Sequence, residues 1–205
     1  MANYCNNHIE FTGTSDRVNA LQEGFVKLSK DSDSKTFVEA CDKAFGLQSP
    51  PDADYAHYGA KWFDFVIELI GNSCWEKSVE GFEDTPITYC SIFVSGESAW
   101  TPPKKLIEEL CKAYRVSARH EYEEAGNDFG GVLTINEKGH SNQEEYTYWE
   151  FKYKYEQDWW WDEVTYQIQE GYRYESYNEF AEDHPYADID DLNEAWNRAN
   201  KNEDQ

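Results

Sequence analysis

The segment "EYEEAGND" sets four carboxylates, Glu121, Glu123, Glu124 and Asp128, within eight residues. Clustered carboxylates hold Mg²⁺, and a held metal activates water, so the reaction class this segment would serve is metal-dependent hydrolysis. Strand alternation divides the set. Glu121 and Glu123 go to one face, Tyr122 and Glu124 to the other, and Gly126–Asn127 reads as a turn braced by Asp128. The five histidines (His8, His57, His120, His140 and His184) show no ligand spacing to one another or to cysteine. There is no GxSxG, no Walker loop and no GxGxxG. The expectation is a binding protein and not an enzyme, with no metal and no cofactor.

A second constellation lies nearer the C-terminus. Between Glu145 and Val164, nine of twenty residues are aromatic, including the run Trp159–Trp160–Trp161 beside Asp158, Asp162 and Glu163. Residues 141–205 hold 18 acidic and 5 basic side chains and 16 of the 34 aromatics. The whole chain of 205 residues carries 41 acids against 18 Lys and Arg, a net charge of −23. A field of that sign repels phosphate backbones and anionic bilayers and attracts basic surfaces. Stacking of single-stranded nucleic acid on the three tryptophans is the alternative, but they lack the Lys/Arg lining that a phosphate-tracking groove needs.

The tail pattern "YTYWEFKYKYE" places Tyr146 and Tyr148, then Phe151, Tyr153 and Tyr155, on one side of a strand with a bulge near Trp149–Glu150. The three tryptophans fit either a strand or a helix; in both, at least one ring turns away from the local core. Rings that anchor the tail would stiffen it and leave Asp158, Asp162, Glu163, Glu170 and Glu175 outward. "AEDHPYADIDDLNEAW" adds Asp183, Asp188, Asp190 and Asp191 near a last helix packed by Leu192, Ala195, Trp196 and Ala199.

Upstream, "NHIEFTG" alternates as a first strand. A helix follows with Val18, Leu21, Phe25 and Leu28 on one face. A short helix then buries Phe37, Cys41, Ala44 and Phe45 and ends at Gly46. "KWFDFVIELIG" reads as a helix closing at Gly71. Strands follow at 75–82 and 87–96, with a turn at "DTP". "AWTPPKKLIEELCKAYRV" is a helix capped by Thr101, with a stripe of Leu106, Ile107, Leu110, Ala113 and Tyr114, and with outward Lys104–Glu108 and Lys105–Glu109 pairs. "VSARHEYEE" and "FGGVLTIN" close the pattern as strands. The order is that of an α+β, ferredoxin-like split βαβ antiparallel sheet with helices on one face.

Four motifs in series, "MANYCNNHIEFTG", "WFDFVIELIGNSCW", "AWTPP" and "YEEAGNDFGG", resemble the YubB-type ferredoxin-like domain of plasmid and phage proteins. The resemblance spans residues 1–136 and implies the fold and a mobile-element setting, but no reaction. Two departures stand out. Leu69–Ile70 precede Gly71 where the family has Asn-Trp-Gly, with Trp75 one position late, and residues 31–48 form an insert. The expected division is a ferredoxin-like domain over 1–136 and an acidic, aromatic-rich extension over 137–205, packed on or continuing the sheet.

Five cysteines (Cys5, Cys41, Cys74, Cys90 and Cys111), odd in number and without CxxC spacing, argue against a disulfide scaffold and for a reducing compartment. The N-terminus lacks a signal-peptide pattern and no apolar run is of spanning length, so a cytoplasmic protein is expected. Together these features imply an acidic inhibitor that enters the nucleic-acid groove of a basic host defence protein. The expected contact set is Asp158, Trp159, Trp160, Trp161, Asp162, Glu163, Glu170, Glu175, Asp183, Asp188, Asp190 and Asp191.

Overall fold

The computed structural model describes residues 4–54, 56–68, 74–79, 82–169, 174 and 176–200. In chain order the elements are β1 (Tyr4–Thr14), α1 (Ser15–Ser29), α2 (Phe37–Phe45), β2 (Phe63–Glu68), β3 (Trp75–Val79), β4 (Phe82–Ala99), α3 (Lys104–Tyr114), β5 (Ser117–Glu124), β6 (Phe129–Ile135) and β7 (Ser141–Tyr146). Four helices follow: α4 (Tyr148–Tyr155), α5 (Gln157–Gln169), α6 (Tyr177–Asp183) and α7 (Ile189–Asn200). The strands form one sheet in the order β2-β4-β1-β5-β6-β7, with β3 also on β4. The central four, β2-β4-β1-β5, are the ferredoxin-like core of an α+β fold, and β6 and β7 extend it.

Period-two burial explains the sheet. On β1, Cys5, Asn7, Ile9 and Phe11 face inward, with Ile92 and Val94 from β4 and Ala118, His120 and Tyr122 from β5. Val18, Leu21 and Phe25 of α1 and Leu106, Ile107 and Leu110 of α3 complete this core. The Phe25 ring meets Phe11, Phe45 and Phe65 at 5.0–5.8 Å in tilted or edge-on geometry, as ring quadrupoles favour. Gly96 is required here: a Cβ would lie 1.9 Å from the Asp64 carbonyl oxygen of β2.

One polar network is sealed in the core. The Asn7 amide nitrogen donates to the Cys5 carbonyl at 2.8 Å and to Ser98 Oγ at 2.9 Å, so its oxygen faces His120 Nε2 at 2.9 Å. The His120 Nε2 must therefore carry the proton, leaving Nδ1 bare, buried and without a hydrogen-bond partner among the described residues. Burial pushes the His120 pKa down to about 3, helped by the nearby charges of Lys104 and His8.

The opposite face is polar and reads in cross-strand rows. Ser91–Thr12–Ser117, Phe93–Glu10–Arg119 and Ser95–His8–Glu121 are each in register across β4, β1 and β5.

Four expectations are corrected. Residues 63–68 are strand β2, not helix: Phe63 is buried while Asp64 and Val66 are exposed, an alternation that a short apolar run conceals. The expected end of that helix, Gly71, lies outside the described residues. β4 runs through 84–86, so "DTP" is no turn; the β3–β4 pairing is irregular opposite it, where a strand tolerates proline. Helix α3 has Pro103 and not Thr101 as its N-cap, and the Thr101 hydroxyl donates instead to the Gly59 carbonyl. Finally, Cys74 and Cys90 form a disulfide, their Cα atoms 4.2 Å apart, because the Trp75–Tyr89 register places them across from one another. Cys5, Cys41 and Cys111 are free and buried.

The chain divides into two compact units, residues 1–127 with 131–145, and residues 128–130 with 146–205. The second unit has its own core of Trp160, Val164, Ile168, Tyr174, Phe180, Leu192, Ala195 and Ala199. "YWEFKYKY" is helix α4, not a strand. Thr147 caps it by accepting from the Glu150 backbone N–H, and Asp128 accepts from that of Tyr148. Local capping thus overrides the β propensity of the rings.

Candidate partner interface

Aromatic packing is the frame on which the second unit displays its charge. Trp160 is fully buried, with Tyr153 at 5.0 Å and Trp161 at 5.6 Å, both edge-on. His184 forms the hub of the cluster. Its ring lies 4.8–5.9 Å from those of Phe180, Trp160, Tyr174, Tyr186 and Trp149, and its Nδ1 donates to the Phe180 carbonyl at 2.9 Å. Nothing in the sequence marks this histidine beyond its place at the end of an acidic helix. The Tyr153 hydroxyl ties α4 to α7: it donates to Asp191 at 2.7 Å and accepts from the Asp188 backbone N–H at 3.0 Å. Burial first, and the Asp191 carboxylate after it, hold this phenol above the usual tyrosine range.

The expected contact residues separate on this frame. Asp158, Trp159, Asp162, Asp183, Asp188 and Asp190 are exposed. Trp161, Glu163 and Asp191 are half-buried, and Asp191 is already engaged by Tyr153 and by Gln157 at 3.3 Å. Trp160 is a core residue that no partner reaches in this conformation. Glu170 and Glu175 lie outside the described residues. On α5, Asp158 and Asp162 share a face, separated by a rise of about 6 Å.

Each described cation of this unit is engaged from within. Lys152 is 5% exposed, 2.7 Å from Glu156 and 4.9 Å from the Trp159 ring centroid. Lys154 donates to the Tyr146 hydroxyl and lies 4.3 Å from that ring. Arg198 pairs with Glu194 at 2.7 Å and lies 4.9 Å from the Trp161 ring. Among the described residues the outward side chains of this unit are rich in carboxylate.

The carboxylate turn after β5 does not assemble as a metal site. Glu124 accepts the Gly126 and Asn127 backbone N–H groups at 2.8 and 2.6 Å, so it, rather than Asp128, braces the turn. Glu123 accepts from Asn6 at 3.3 Å. Among the described residues no group of three or more His, Cys, Asp or Glu has metal-holding geometry. On the polar sheet face, His8 Nδ1 lies 3.2 Å from Ser95 Oγ, but the carboxylate in that row, Glu121, is held by Arg119 at 2.7 Å. No Ser-His-carboxylate relay is therefore formed.

Residues 75–167 match the model of a family described as a ferredoxin-like domain in Api92-like protein. No curated protein matches the chain. Among solved structures, the crystal structure of a protein api92 from Yersinia pseudotuberculosis is similar, with 13% identity and a TM-score of 0.38 over 71% of this chain and 98% of that one. No described helix is long and apolar enough to cross a membrane.

Proposed function

We propose that the C-terminal unit is an acidic docking module that enters the basic nucleic-acid-binding groove of a host protein, a defence protein above all, and blocks it. The observation that carries this reading is the one-sided use of charge. Lys152 is buried against Glu156, and the exposed Lys154 and Arg198 lie over rings of the unit, while the exposed Asp158, Asp162, Asp188 and Asp190 project from the same ring-packed helical frame. A stiff array of carboxylates can stand in for a line of phosphates, which runs at one charge per about 1.7 Å of duplex axis. It also loses less conformational freedom on docking than a flexible acidic tail does. The function is occupation and not turnover. It suits a kinship with the YubB-type proteins of plasmids and phages.

The test is capture of host proteins by the full chain, followed by competition between nucleic acid and the chain for each captured protein. A basic partner is expected, released by nucleic acid and by raising salt from about 0.1 M to about 1 M, where the Debye length falls from about 10 Å to about 3 Å. The double reversals Asp158→Lys with Asp162→Lys, and Asp188→Lys with Asp190→Lys, should each weaken capture at unchanged circular dichroism. A partner indifferent to both reversals, or one that binds nucleic acid and the chain simultaneously, refutes the reading.

A further inference from the structure

The polar face of the N-terminal sheet carries a trough that the charge of the molecule would not lead one to expect. Three open cavities share walls along it. One of about 260 Å³ is lined by His8, Glu10, Phe93, Ser95, Arg119 and Glu121. The next, of about 550 Å³, shares Glu10 and Arg119 and adds Thr12, Ser117, Asn136 and His140. The last, of about 220 Å³, shares Thr12, Ser117 and Asn136 and adds Arg17, Arg115 and Glu137. The middle cavity alone falls within the range of about 300–1,000 Å³ typical of small-ligand sites.

Residues 1–140 contain three arginines, Arg17, Arg115 and Arg119, and all three line this trough, whereas no lysine does. Arginine in preference to lysine is the signature of oxyanion recognition, because the planar guanidinium presents paired N–H donors. The end formed by Arg17 and Arg115 is preorganised. Arg17 Nη1 donates to the Arg115 carbonyl at 3.0 Å, which ties the two residues together. Arg115 is exposed, on left-handed backbone at φ 52°, and its guanidinium has no partner among the described residues. Arg17 has a loose one, Glu137 at 3.6 Å.

Beyond this end the walls carry the hydroxyls of Thr12, Ser117 and Ser141, the amides of Asn136 and Asn142, His140 and the Glu10 carboxylate, with Arg119 paired to Glu121 at the far end, a lining that suits sugar hydroxyls, which both donate and accept. A long polyanion would meet Glu10, Glu121 and Glu137 as it extended, so the ligand must be small.

We propose that this trough binds a small phosphorylated sugar, with its phosphate between Arg17 and Arg115 and its hydroxyls on Glu10, Thr12 and Asn136. The site shares no residue with the carboxylates assigned above to partner docking.

The test is titration of the full chain with ribose 5-phosphate, ribose and inorganic phosphate, read by amide chemical shifts and calorimetry. Ribose 5-phosphate should bind best and perturb residues along the trough, phosphate should bind more weakly at the Arg17–Arg115 end, and ribose should not bind. Arg115→Gln and Arg17→Gln should each weaken ribose 5-phosphate about tenfold or more, the scale of losing charge-assisted hydrogen bonds. Glu137→Gln should tighten it by releasing Arg17, an effect that misfolding would not produce. No shift change up to about 10 mM ribose 5-phosphate, ribose binding as tightly as its phosphate, or arginine variants that bind like the wild type would each overturn the proposal.

Discussion

His120 is where a single side chain sets a pH dependence. It is neutral in the folded core and pushed down to about 3, against an ordinary value of about 6.5 in the unfolded chain. Between those values the unfolded chain binds the extra proton, so stability rises with pH through that window. The contribution is intact above about pH 6.5 and is lost progressively as pH falls toward 3. Urea midpoints at pH 7 and pH 5 should differ more for the wild type than for His120→Gln, whose amide can still donate to Asn7; equal differences would mean that another group dominates. Lys152 is the counterpart in the second unit. Its stem is buried and its ammonium lies between Glu156 and the Trp159 ring, so Lys152→Ala loses packing as well as charge. A loss of about 1–3 kcal/mol is expected in denaturant titration. An exposed ion pair would yield under about 1 kcal/mol.

At the scale of elements, α5 turns on Trp160. Trp160→Ala should cost about 3–5 kcal/mol by leaving an unfilled space among Val164, Tyr153 and His184, whereas Trp159→Ala at the exposed neighbouring position should cost far less. Thermal melts of the two variants compare them directly. What the sequence disclosed follows the same division between periodic and local signals. The inward sides of α1 and α7 were readable, since Val18, Leu21, Phe25 and Leu28, and likewise Leu192, Ala195 and Ala199, recur at helical spacing and are buried. α4 was not, because Tyr148, Phe151, Tyr153 and Tyr155 satisfy a bulged strand pattern as well as a helical one; Thr147 and Asp128 decide, the second through a bond made across the chain. β7, "SNQEEY", has no buried face to betray it. The acidic candidates were legible as a class. Their sorting into outward Asp158 and internally engaged Asp191 needed the position of Tyr153, and the convergence of Arg17, Arg115 and Arg119 needed the strand register.

For the whole molecule, two hydrophobic cores imply two unfolding transitions. Calorimetry should resolve both, with Trp160→Ala moving one midpoint and His120→Gln the other; a single transition moved by both would show that the cores unfold together. The cysteines lend themselves to such measurements. Cys5, Cys41 and Cys111 are inaccessible, and burial raises the thiol pKa of Cys5 and Cys111 to about 12, far from the thiolate that reacts. Cys90 is likewise buried at 6%, whereas Cys74 is exposed. The untreated protein should thus be silent to maleimide. Brief reduction of its one disulfide should open a single attachment point at Cys74, where one fluorophore could be placed on the natural chain without any substitution.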